Sequence, residues 1–177
     1  MNIWHGMEAE RITPDSFVAV IEISKGGKAK YELDKSTGLL RLDRILFTSM
    51  HYPANYGFIP RTYADDSDPL DVLALCSESI LPMTLVDCRP IGILRMIDEG
   101  QADEKIIAVC DNDPFYTSYF DVRQLPAHIF SEIRHFYEVY KTLENKETMV
   151  QKIEDSVQAK LVIARSMDAY DREFSGK

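Results

Sequence analysis

From Phe17 to Cys110 the sequence consists of short β-forming runs separated by turn signals, and from about Leu125 it changes to helical spacing. That one change of period limits the fold more than any other feature, because each half must bury a differently shaped apolar face. The run Phe17-Val-Ala-Val-Ile-Glu-Ile23 is a strand whose alternation puts Phe17, Ala19, Ile21 and Ile23 on one face. Val18, Val20 and Glu22 take the other, so a carboxylate faces an apolar side. Residues 29–33 and 39–42 flank the turn Asp34-Lys-Ser-Thr-Gly38 and read as a hairpin, with Lys30 and Glu32 on one face. Residues 72–76, 84–97 and 105–110 are further strands, and Pro90 should interrupt or bulge the long one. Behind Pro126, Ile129, Ile133, Phe136, Tyr140 and Leu143 follow helical spacing. Ile153, Val157, Leu161 and Ala164 repeat it. Strands first and helices last predict an α+β fold, a small closed or strongly curved sheet with helices packed outside. Closure would leave no exposed strand edges.

A chain of 177 residues suits one domain, drawn over residues 1–177, with a full core and no need of disulfides. Its 29 acidic and 20 basic residues give a net charge of −9. That balance argues against nucleic-acid and anionic-membrane partners, which need clustered Lys and Arg, and suits a protein that gathers cations. The longest apolar runs, such as 72–76 and 106–110, are five residues and cannot span a bilayer. Residues 1–14 contain no apolar core of signal-peptide length. Cys76, Cys88 and Cys110 are odd in number, widely spaced and form no CxxC. They read as buried, reduced thiols of a cytoplasmic protein.

The densest chemical feature is Asp65-Asp66-Ser-Asp68-Pro-Leu-Asp71, just before an apolar strand. Crowded carboxylates repel unless they are solvated or a cation neutralises them, and hard divalent ions take such oxygen ligands. An acidic surface turn is the competing reading. An EF-hand loop counted from Asp66 fails, because Leu70, Asp71 and Ser77 fall where an oxygen donor, Gly and Glu are required. Gly26-Gly27-Lys28 lacks the upstream Gly and following Ser/Thr of a phosphate-binding P-loop. The stretch before Asp66 is a poor strand end for an aspartyl-phosphate enzyme. A second acidic cluster, Asp98-Glu99-Gly-Gln-Ala-Asp103-Glu104, lies between two strand candidates and reads on its own as an exposed hairpin loop. If both acidic loops meet at one end of a sheet, Asp66, Asp71 and Asp103 come within reach of shared metal ions. Tyr52-Pro-Ala-Asn-Tyr56-Gly57 reads as an irregular turn, with tyrosines that either pack in the core or donate to an anion. No histidine spacing suits a metal, and no nucleophile–histidine arrangement appears.

Taken in order, these pieces resemble the family I soluble inorganic pyrophosphatases of the short bacterial type. Asp66-Ser-Asp68-Pro-Leu-Asp71-Val is similar to that family's D-x-D-P-x-D-[VL] signature. Its companions stand in sequence: Val20-Ile-Glu22-Ile, Lys30-Tyr-Glu32, Asp43-Arg44, Tyr52-Pro-x-Asn-Tyr56-Gly, Arg89-Pro-Ile-Gly92, Asp98-Glu99, Asp103-x-Lys105 and His135-Phe-Tyr-Glu-x-Tyr140-Lys141. One short acidic motif is weak, whereas eight companions in register over Phe17 to Leu143 are specific.

The resemblance implies hydrolysis of pyrophosphate with several Mg²⁺ ions per site. It gives Asp66, Asp71 and Asp103 as ligands of the activating metals and Asp68 as general base. Glu22, Glu32 and Asp98 would hold further metals or orient ligands. Lys30, Arg44, Tyr56, Tyr140 and Lys141 would hold phosphate groups, with Tyr52 and Lys105 in the same constellation. The implied fold is a five-stranded OB-like barrel with flanking helices, assembled as a homohexamer. Metal binding would lower the pKa of a bound water toward about 7, and water would attack in line with no phosphoenzyme. Ser67 departs from the family where Gly is common, and costs stability if φ there is positive. His51 replaces a common aromatic residue, and the stretch after Glu144 lacks an expected Trp. Rival functions are a single-stranded nucleic-acid module, which needs a basic groove with stacking aromatics, a calcium buffer, and an organic phosphomonoesterase.

Overall fold

The computed structural model describes residues 2–174; Met1 and residues 175–177, which the single-domain expectation included, lie outside the described residues. The described residues form eight strands and three α-helices, starting with a one-turn helix α1 (Ile3–Gly6). The strands are β1 (Phe17–Ile23), β2 (Ala29–Leu33), β3 (Leu40–Ile45), β4 (Asn55–Ile59), β5 (Leu70–Leu75), β6 (Leu85–Asp98), β7 (Gln101–Cys110) and β8 (Thr148–Asp155). Helix α2 (Ala127–Val139) precedes β8, and α3 (Ser156–Phe174) follows it.

The main sheet has the order β1-β4-β5-β7-β6-β8, and β1 also pairs with β6. The ring β1-β4-β5-β7-β6 therefore closes into a five-stranded barrel, as expected. The first half of β1 pairs with the start of β6 (Phe17 opposite Cys88), and its second half pairs with β4. One strand can serve both neighbours because β6 is fourteen residues long and continues past β1 to pair with β7 and β8. A register shift between Pro90 and Gly92 bends it, where the proline cannot donate to the ladder. The hairpin β2–β3 stands apart as a two-stranded flap.

β5 beyond Asp71 and the second half of β7 are buried on both faces, which explains their continuous apolar reading. Leu73, Leu75, Ile107 and Val109 pack with Ile133, Phe136 and Tyr137 of α2. Val72, Ala74, Ile106 and Ala108 pack on the other face with Ala159, Val162 and Ile163 of α3. No helix among the described residues is long and apolar enough to cross a membrane.

Three expectations change. Asn55–Ile59 is a fully buried strand rather than part of an irregular turn; it closes the barrel between β1 and β5. Thr148–Asp155, expected to be helical, is an edge strand on β6, so Ile153 belongs to β8 and α3 starts only at Ser156. The second acidic cluster is not a loop. Asp98 ends β6, Asp103 lies inside β7, and only Glu99-Gly100 turns, both at positive φ. That is the dihedral requirement of a tight two-residue hairpin.

Candidate active site

The two acidic segments meet because of the strand directions. β5 and β7 run parallel, with Asp71 opposite Lys105. Asp103 lies two residues before Lys105, on the same face of β7. Asp98 is paired with Gln101 at the end of the β6–β7 hairpin and joins that face. The loop before β5 carries Asp66 and Asp68. Tyr56 of β4 stands opposite Leu73, and α2 ends beside the same opening, placing Tyr140 and Lys141 there. The flap supplies Lys30 and Glu32 from β2 and Asp43 and Arg44 from β3.

Glu22 reaches the site by a bulge. Ile21 pairs with Gly57 and Ile23 with Tyr56, so Glu22 is the extra residue on β1. This breaks the alternation read from the sequence and turns a carboxylate out of the ladder. Glu22 Oε1 accepts a 2.7 Å hydrogen bond from the Leu33 N–H, tying the flap to the barrel. Burial, and next the charge of Asp71, push the Glu22 carboxyl up to about 8. The bulge also draws β1 close to β4. A Cβ on Gly57 would lie 1.9 Å from the Val20 carbonyl oxygen, so only glycine fits there.

Together these groups line a cleft of about 530 Å³. Eight carboxylates face it (Glu22, Glu32, Asp43, Asp66, Asp68, Asp71, Asp98, Asp103), with six cations (Lys30, Lys35, Arg44, Lys105, Lys141, Lys146). Every residue to which the resemblance gives a role in the site lines it except Tyr52. Tyr52 is buried one layer behind, its ring 5.6 Å from that of Tyr56 and 4.8 Å from that of Phe136.

Lys105 is the centre of the charge pattern. Its side chain is 4 % exposed. Its Nζ stands 2.8 Å from Asp71 Oδ2 and 3.0 Å from Asp103 Oδ2, and donates to the Tyr56 hydroxyl at 3.2 Å. Burial alone would lower the pKa of its ammonium, but Asp103 and Asp71 outweigh burial and hold it well above the usual lysine value. Asp103 is raised by burial and by Asp71, against the pull of Lys105. Asp66 is raised by burial first and then by its carboxylate neighbours. Burial also raises Tyr56 and Tyr140 well above the usual phenol value, so both hydroxyls keep their protons to donate.

The remaining cations are paired around the rim. Lys141 holds Asp98 at 2.6 Å, Lys30 holds Asp43 at 3.1 Å and also pairs with Glu32, and Arg44 bridges Asp43 (2.6 Å) and Glu144 (2.7 Å). Lys35 pairs with Asp68 and donates to the Ser67 carbonyl at 3.2 Å. Asp66 Oδ1 accepts from the Asp68 N–H at 3.1 Å, which shapes the acidic loop, and Ser67 adopts φ +69. The positive φ makes Ser67 the strained residue that the sequence comparison with glycine anticipated.

The sequence reading passed over Lys35, Lys146 and Glu144. Lys35 sits in a turn that looked purely structural, and Glu144 lies on a 3₁₀ turn behind Arg44. No local pattern marks either one. Asp43 was visible only as the neighbour of Arg44.

The donor set is all oxygen, mostly carboxylate, which suits a hard ion such as Mg²⁺ and not a soft one. Asp66 and Asp103 bear the cost of mutual repulsion that such an ion would relieve. Among the described residues, no three acidic, His or Cys side chains are grouped tightly enough to enclose an ion. Lys105 stands between Asp71 and Asp103 instead.

The inorganic pyrophosphatase family model matches residues 19–171. A soluble inorganic pyrophosphatase of Solanum tuberosum is 52 % identical over 167 residues, 94 % of this chain and 79 % of that protein. The inorganic pyrophosphatase structure from Helicobacter pylori superposes with a TM-score of 0.90 at 40 % identity, covering 94 % of this chain and 99 % of the other. That from Thermus thermophilus gives 0.89 at 35 % identity over 97 % and 99 %.

Proposed function

This chain belongs to the inorganic pyrophosphatase family and hydrolyses pyrophosphate to two orthophosphates, and we propose that the carboxylate and cation cleft is where it does so. The observation that supports this reading most is the meeting of Asp66, Asp71 and Asp103 with Lys30, Arg44 and Lys141 in one opening, although they come from five separate segments. With eight carboxylates against six cations the cleft alone would repel a multiply charged anion. Neutralisation by metal ions resolves that conflict.

In this reading Asp66, Asp71 and Asp103 hold Mg²⁺, and Glu22, Glu32 and Asp98 hold further ions or orient the ligands. Bound Mg²⁺ supplies Lewis acidity, neutralising phosphoryl oxygens and acidifying water. Asp68, exposed at the lip of the cleft, takes the proton of the attacking water. Lys30 and Arg44 on the flap and Lys141 just after α2 bind phosphoryl oxygens from opposite walls. Tyr56 and Tyr140, held protonated by burial, donate to charge growing on the leaving phosphate. Lys105 separates Asp71 from Asp103 and sits behind the metal ligands. Tyr52 packs behind Tyr56 and sets its ring. Water attacks in line, and no side chain is phosphorylated.

The whole chain acts as one domain in the cytoplasm, and the assembly is a homohexamer. Exposed apolar side chains at Leu42, Ile45 and Phe47 support self-association, and light scattering measures it. The activity test is orthophosphate release from pyrophosphate with and without Mg²⁺, beside an organic monophosphate. Release should require both Mg²⁺ and pyrophosphate. Asp68→Asn should lose about 10²–10⁴-fold in rate with an unchanged melting temperature. Full rate in that variant refutes the role given to Asp68.

A further inference from the structure

The three cysteines, unused by the cleft, converge at the opposite end of the barrel. The starts of β5 and β7 carry Asp71, Asp103 and Lys105, and their other ends lead to Cys76 and Cys110. Their parallel register pairs Leu75 with Val109, which sets Cys76 beside Cys110 one step further on. On its other side Cys110 pairs directly with Cys88 of β6. All three pack in the apolar cluster beneath α3, on the sheet face away from the cleft. All are free thiols; Cys88 and Cys110 are buried and Cys76 is half-buried.

An independent contact fastens the two strand ends together. Asp113 Oδ2 accepts from the Ser77 N–H at 2.6 Å and Oδ1 from the Phe115 N–H at 2.9 Å. The residue after Cys76 is thus pinned to the loop after Cys110. Neighbouring strands stand about 4.8 Å apart, inside the roughly 4.4–6.8 Å Cα separation that a disulfide bridges. Cys76 and Cys110 lie where strands end and the backbone can adjust. Cys88 is fixed between Phe17 of β1 and Cys110 of β7.

We infer that Cys76 and Cys110 are an oxidation site, closing an intramolecular disulfide across the ends of β5 and β7 when the protein meets hydrogen peroxide. Peroxide is little larger than water and enters past the half-buried Cys76. Cys110 is the nucleophile. The Cys88 thiol paired across from it draws its pKa below the usual thiol value, against burial, and the Cys76 thiol adds to this. The Cys110 sulfur attacks one peroxide oxygen, the O–O bond breaks, and hydroxide leaves to take the proton that Cys110 gave up. The resulting Cys110 sulfenic acid is then attacked by the Cys76 sulfur. The S–S bond forms, the S–O bond breaks, and the oxygen departs with the Cys76 proton as water. Two thiols lose two electrons, and one peroxide becomes two waters. Burial pushes the Cys76 thiol up to about 11, so it serves as the resolving partner and not the first attacker. A dithiol reductant reverses the reaction by exchange.

The test treats the full chain with a small excess of hydrogen peroxide, blocks residual thiols by alkylation and maps peptides without reduction. The expected result is a linked Cys76–Cys110 peptide pair in a monomeric-mass chain lighter by two hydrogens, lost on adding dithiothreitol. Cys76→Ser and Cys110→Ser should each abolish it, and Cys88→Ser should retain it. Because Cys110 is buried, the half-buried Cys76→Ser variant decides the matter if Cys110→Ser does not fold. A Cys88–Cys110 link, a link between two chains, over-oxidation of a single cysteine, or unchanged free thiols would each overturn the inference.

Discussion

Replacing Lys105 by Met probes how the cleft manages its charge without metal. Methionine keeps most of the volume of the lysine stem and removes only the ammonium, so little cavity forms. What is lost is the cation standing 2.8 Å from Asp71 and 3.0 Å from Asp103, in a side chain 4 % exposed. Removing one partner from such a buried ion pair costs about 3–5 kcal/mol, because the carboxylates left behind face each other across low-dielectric space. For a chain of this size each kcal/mol lowers the melting temperature by about 2–4 °C. Lys105→Met in excess chelator near neutral pH should therefore melt about 6–20 °C below the parent protein by scanning calorimetry. Saturating Mg²⁺ should raise the melting temperature of the variant further than that of the parent, because the ion replaces the missing positive charge. A drop under about 2 °C in chelator, or equal Mg²⁺ shifts in both proteins, would refute the reasoning.

Three further outcomes rest on other parts of the structure. Gly57→Ala puts a Cβ 1.9 Å from the Val20 carbonyl oxygen; urea unfolding should show a loss of about 3 kcal/mol or more, or no soluble protein, as the β1 bulge is forced open. Ser67→Gly should gain about 1 kcal/mol in the same measurement, since the φ of +69 strains every residue but glycine. Asp121 accepts from Arg123 Nε at 2.7 Å and from the Ser156 N–H at the start of α3 at 3.2 Å, and the Arg123 bond leads in holding its carboxyl below the usual range. A depressed folded-state pKa gives stability that is full above the unfolded value of about 3.9 and is lost as pH falls toward the folded one. Asp121→Ala should thus cost about 1–2 kcal/mol near neutral pH and distinctly less below the unfolded value, and a pH-independent cost would contradict the assignment.

What the sequence revealed depended on how local each signal was. β1 and the β2–β3 flap were readable because alternation and the Asp34–Gly38 turn are properties of short segments. β4 was hidden. Pro53 before it and Gly57 within it carry turn signals, and burial of both its faces removes the alternation that marks a strand. β8 was missed for the opposite reason: as an edge strand rich in exposed polar residues it shows little apolar period, and Ile153 fits the next helix equally well. The acidic residues were conspicuous, but their meeting depends on the parallel pairing of β5 with β7, which no spacing in the chain discloses. The inward aim of Glu22 needed the bulge opposite Gly57. Lys35 reaches the cleft and Glu144 reaches Arg44 behind it through tertiary contacts alone, and the thiol cluster likewise comes from three different segments.

The most direct examination of the metal assignment is a crystal of the protein soaked in Mn²⁺, a divalent ion that accepts the same oxygen donors and scatters anomalously. Peaks should lie within coordination distance, about 2.0–2.3 Å, of carboxylate oxygens of Asp66, Asp71 and Asp103. An ion found only elsewhere on the surface, with Asp71 and Asp103 still paired to Lys105, would contradict the account.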